Sequence, residues 1–188
     1  CNCYTDYTKR DANCYQGPTH RYGYSLTAHS YTYFRGHADS PDGDSKLSIA
    51  FPVTQLLDHF SRANSTKIGA SWAGSKSGYR IAGGRLDVGT TSDIYWKAAR
   101  YGENQEAYVT LAAIDPAATE IGLILKAQSY TGLGAGLVEV FYSPRDRTVQ
   151  VWTYTTRLGW QQQGPSISST FVNGDRFGAR VYSSGRVE

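Results

Sequence analysis

The sequence contains no methionine, and its only three cysteines, Cys1, Cys3 and Cys14, fall in the first fourteen residues. A chain of 188 residues can bury a sandwich core without metals or disulfides, so these cysteines read as a local staple. Cys1 and Cys3 are too close to bridge each other easily. That leaves Cys3–Cys14 or Cys1–Cys14 as the pair and points to an oxidising compartment. The odd thiol is free, links another chain or, at a processed N-terminus, carries a lipid. A zinc site from these thiols and His20 is the rival, but no CxxC spacing supports it. The longest apolar run falls far short of the ~20 residues that cross a bilayer. There is no initiator Met or signal sequence, and a start at Cys1 suggests a processed or partial chain. Nor is there a basic run: the net charge is +3, with Lys and Arg scattered, which argues against nucleic acid as a partner.

Catalytic signatures are missing too. The four histidines, His20, His29, His37 and His59, all precede the strand-rich part of the chain. No Gly-x-Ser-x-Gly elbow, HExxH, phosphate loop or dinucleotide fingerprint occurs. A glycosidase needs two carboxylates flanking the scissile bond, at i, i+2 or i+4 if they share a strand face. Glu139 stands between Leu137 and Phe141, Asp115 and Glu120 sit in or beside a loop, and Glu103 and Glu106 straddle the start of a strand. None makes a pair, so the chain reads as non-catalytic. Asp39, Asp42 and Asp44 hint at calcium, but Pro41 stands where an EF-hand loop needs a ligand; a surface turn and no cofactor is the expectation.

What is present is aromatic and glycine-rich, with 15 Tyr, 4 Trp and 20 Gly. Residues 136–154, GLVEVFYSPRDRTVQVWTY, hold two alternating runs around Ser143-Pro144-Arg145-Asp146. Period-two alternation of β-branched and aromatic residues across such a break predicts a β-hairpin. Val138, Val140 and Tyr142 share one face with Val149 and Val151. If those face a core, Glu139, Gln150, Trp152 and Tyr154 face the other way. Trp160, with Gln161 and Gln162, and Tyr95 with Trp96 are candidates to extend that polar, aromatic surface, whereas Trp72 and Trp96 also suit a core.

Further strands are predicted at 79–81, 85–88, 94–96, 106–112, 121–127, 159–162 and 176–182, with a last start at Val187. Gly83-Gly84, Asp115-Pro116, Gly164-Pro165 and Asn173-Gly174 are among the breaks. Runs of short strands with recurrent turns favour an all-β sandwich over an α/β fold. Leu56, Leu57 and Phe60 are spaced for a helical turn that Ser, Asn and Gly soon interrupt. Asn64-Ser65-Thr66 matches the N-glycosylation sequon. Asp58 and Arg62 are placed to pair. Arg80, Arg100, Lys126 and Arg180 are expected on outward faces as solvated charge. Residues 1–48 form a Cys- and Tyr-rich extension and linker. Within it, 22–34, YGYSLTAHSYTYF, alternates well enough for a strand in search of a sheet edge. The sandwich itself is placed at 49–188.

From about Leu56 onward the order of motifs resembles a bacterial secreted module of the concanavalin A-like (laminin G-like) β-sandwich superfamily. The resemblance rests on DHFSRANST (58–66), GASW (69–72), GYRIAGGRLDVG (78–89), DIYW (93–96), GENQEAYVTL (102–111), VEVFY and VQVWTY (138–154), LGW (158–160) and NGDRFGARV (173–181). It implies an antiparallel jelly roll, an extracellular or cell-surface location, and binding of carbohydrate or matrix. Glu139, Gln150, Trp152, Tyr154 and Trp160 are the candidate ligand contacts. Family members continue beyond Val187-Glu188 through further strands, so either the chain is a fragment or another segment fills the gap, with 22–34 as the candidate filler, in its own chain or a neighbour's. The second functional expectation is therefore a filament subunit assembled by strand exchange.

Overall fold

The computed structural model describes residues 25–32, 51–90, 93–128 and 136–188. These form antiparallel β-sheets joined by turns, with a single 3-10 turn at Lys76–Gly78 in place of helices. Cys1, Cys3, Cys14, His20, His37 and the Asp39–Asp44 stretch lie outside the described residues.

In chain order the strands are β1 (Ser25–Thr32), β2 (Trp72–Gly74), β3 (Tyr79–Ala82), β4 (Arg85–Val88), β5 (Ile94–Trp96), β6 (Gln105–Ala113), β7 (Ile121–Leu125), β8 (Leu137–Ser143), β9 (Thr148–Thr155), β10 (Gly159–Gln162), β11 (Ile167–Ser168) and β12 (Arg176–Val181). One sheet has the order β12-β6-β1-β4-β3. The second runs β10-β9-β8-β7, with β11 also on β9, and β2 and β5 make a small two-stranded sheet.

The two main sheets face each other across one core. Val109, Leu111, Phe177 and Val181 of the first pack against Ile121, Leu123, Val140 and Tyr142 of the second, with Val149 and Val151 at the margin. Each core side chain taken from water stabilises the fold by roughly 1.5–3 kcal/mol. The alternation read from the sequence is what allows this. In β12, Phe177, Ala179 and Val181 point inward while Arg176, Gly178 and Arg180 point outward. A second cluster, Phe60, Ile68, Trp72, Ile81 and Leu86, fills one end, with Trp96 packed edge-on to Trp72 at 5.2 Å.

Three local details differ from the sequence expectation. Phe60 has a left-handed backbone (φ 53°) and the 56–60 segment is not helical, because its Asp58 carboxylate accepts from the Phe60 amide instead. Arg180 is not a solvated charge; it is largely enclosed against Glu106 at 2.6 Å. Val187 makes only an isolated bridge to Val181. The β3–β4 turn, by contrast, follows its sequence. Gly83 (φ 58°) and Gly84 (φ 70°) supply the paired positive angles of a two-residue hairpin turn. The Gly83 amide also donates to Asn64 Oδ1 at 2.9 Å, so the exposed sequon asparagine braces that turn.

Candidate functional site

The outer face of the second sheet, the side away from the core, is built from β7, β8, β9 and β10. Register fixes which residues meet there. Glu139 lies opposite Trp152, which in turn lies opposite Gln162; Leu137 lies opposite Tyr154, which lies opposite Trp160; Phe141 lies opposite Gln150. Because side chains alternate along each strand, all five predicted contacts, Glu139, Gln150, Trp152, Tyr154 and Trp160, share this one face. Val140, Val149 and Val151 take the core side.

The aromatic side chains are held, not loose. Trp152, Tyr154 and Trp160 are each half-buried. The Trp152 indole N–H donates to Gln150 Oε1 at 3.0 Å. The Tyr154 and Trp160 rings sit 5.2 Å apart, tilted by 56°. Trp96 is not part of this surface, because it belongs to the Phe60 and Trp72 cluster.

The carboxylate chemistry is richer than the sequence suggested. Glu120, read as a loop residue without a partner, brings its carboxyl beside that of Glu139, the two converging over Gly122. Gly122 makes this contact possible: a Cβ there would stand 2.7 Å from Glu139 Oε1 and 3.5 Å from Glu120 Oε1. Burial, then the charges of Glu120 and Asp93, push the Glu139 carboxyl up to about 8. Burial also raises Glu120, helped by Asp93, although its bond to Glu139 pulls the other way; Asp93 is raised by burial alone. At neutral pH Glu139 therefore keeps its proton. The missed signal was Glu120 lying one residue before β7, where the Ile121↔Tyr142 register brings it alongside β8.

Elsewhere, Asp58 accepts from Arg62 at 2.7 Å, from the Trp72 indole at 3.0 Å and from the Phe60 amide at 2.8 Å. Burial pushes its carboxyl up, but these bonds outweigh it and hold the group below the ordinary aspartate value. This is the structural pair that the sequence suggested. His59 is exposed and accepts from the Ser61 amide. Among the described residues, no three His, Cys, Asp or Glu side chains are grouped to hold a metal ion. No helix among them is long and apolar enough to cross a membrane.

No family model, curated protein or solved structure matches this chain.

Proposed function

We propose that this chain is an extracellular or cell-surface module that binds glycan through the outer face of its second sheet and serves in adhesion, without catalysis of its own. The observation that carries this reading is the gathering of Trp152, Tyr154, Trp160, Gln150 and Glu139 on one face with the aromatic residues only partly buried. Sugar rings present C–H faces that stack on indole and phenol, while amides and carboxyls bond the hydroxyls. The resemblance of residues 56–188 to concanavalin A-like modules supports the same reading, with jelly-roll connectivity as its finer expectation.

The Glu120–Glu139 contact favours binding over hydrolysis. Glycosidase carboxyls stand roughly 5 Å or more apart with the sugar between them, whereas Glu120 and Glu139 converge over the same glycine. A glycan array comparing the intact protein with Trp152→Ala tests the proposal. Loss of the bound glycans with an unchanged circular dichroism spectrum is expected; equal binding by both proteins rules the face out. Release of reducing sugar that Glu139→Gln abolishes would reassign the site to hydrolysis.

A further inference from the structure

We propose that β1 is exchanged between copies of this chain, the strand of one copy lying between β4 and β6 of the next, so that copies join head to tail. This goes beyond glycan recognition and resides in the opposite sheet.

β1 is paired with β6 along its whole length, from Ser25↔Ala113 to Thr32↔Gln105, and with β4 at Ser25↔Asp87 and Leu26↔Leu86. It is antiparallel to both. Hence β4 and β6 run in the same direction, with β1 as the strand between them. Without β1 the larger sheet separates into a β3–β4 hairpin and a β6–β12 pair, with a strand-wide slot lined by unpaired backbone groups. That slot has to be filled, but its ladder is the same whichever copy supplies the strand.

The tether decides which copies can supply it. Eighteen residues, 33–50, connect β1 to Phe51. Beyond Phe51 the chain is fastened to the outer face of the same sheet. The amides of Val53 and Thr54 each donate to Glu106 at 3.1 Å, and Glu106 is the register partner of Tyr31. Self-insertion therefore asks the tether to bridge only about 20 Å. Fully extended, it reaches about 60 Å, whereas a body of about 140 residues is roughly 40 Å across. The tether is long enough to cross its own body and reach the slot of a neighbour.

The surface beside the clamp gives a reason for the neighbour to stay. Phe51, Val53 and Leu56 are 40%, 46% and 42% exposed, three large apolar side chains within six residues. Apolar exposure of this kind suits a contact with another chain, and we place the strand-receiving copy there. Tethered self-insertion competes with an effective concentration in the millimolar range. Exchange therefore prevails where copies are crowded or where the patch adds its own contacts. The contact is heterologous, so wherever its rotation does not close into a ring it repeats into an open filament.

Two measurements test this. In a chain with Cys1, Cys3 and Cys14 replaced by Ser, Thr27→Cys and Thr110→Cys place thiols at register partners. Oxidation of the concentrated protein is expected to give a ladder of covalent multiples on a non-reducing gel that collapses on reduction. A disulfide confined to single chains at every concentration overturns the proposal. In the unaltered full chain, sedimentation and negative-stain images at rising concentration are expected to show filaments that Ala28→Pro abolishes. Particles that stay single throughout, or filaments that survive Ala28→Pro, also overturn it.

Discussion

Glu106 and Glu139 both stand on the outer face of their sheets, Glu106 near the start of β6 and Glu139 within β8, yet they live in opposite surroundings. Glu106 is 4% exposed and receives Arg180, two backbone amides and the Thr54 hydroxyl. Its sheet is roofed by its own chain: Phe51 packs on Tyr108 at 6.1 Å, Arg180 lies over the Phe51 ring, and the Tyr108 hydroxyl donates to the Thr54 carbonyl. Glu139 has Glu120 and Asp93 for neighbours, and no ion pair among the described residues reaches it. The same residue type thus closes one face and leaves the other available. A carboxylate given a cation and amides becomes a fastener; one given only other carboxyls holds a proton and stays addressable.

The largest effect that would break this comparison lies at Glu106. Glu106→Gln leaves the enclosed Arg180 guanidinium without its buried carboxylate and should cost about 3 kcal/mol, read by urea unfolding. A loss below about 1 kcal/mol would mean that the roof is ornamental. Glu139 should behave oppositely. Its folded carboxyl is raised from 4.5 to about 8, so the stability it contributes is full below about pH 4.5 and declines as pH rises toward 8. Glu139→Gln should flatten that decline in melting temperature between pH 5 and 8, and an unchanged profile would remove the retained Glu139 proton from the account.

Asp58 sharpens the contrast with a third carboxylate. Its value is depressed, so its contribution is present above the ordinary aspartate range and lost as pH falls below it. Asp58→Asn should cost about 1 kcal/mol at neutral pH and blunt acid unfolding below pH 4. Smallest of all is Arg80→Ala, which breaks a surface pair with Asp87 across the β3–β4 ladder. It should change stability by less than about 1 kcal/mol, and by less still in high salt.

Much of this was legible in the chain because period two is a strong code. The valines at 138, 140, 149 and 151 assigned the core side, and that alone sent Trp152 and Glu139 to the other face. The Gly83-Gly84 turn and the strand within 22–34 were legible for similar local reasons. Partnership between distant segments was not. Glu120 and Glu139 meet through strand register, Arg180 meets Glu106 through the β6–β12 pairing, and neither sequence neighbourhood carries a mark of it. β2 and β11, at three and two residues, are too short for alternation to register. Position 122 shows the same limit: an exposed glycine in a strand is a weak cue until a carboxyl is found lying over it.

Gly178 carries a similar consequence for the roofed side. A methyl at that position would collide with the Phe51 ring and stand 2.7 Å from the Tyr108 Cβ. The course of the polypeptide as it arrives from the tether is therefore permitted by one absent carbon. Restoring it with Gly178→Ala would push the phenyl group off its seat, and the first residues of the sandwich would have to find another route across β12.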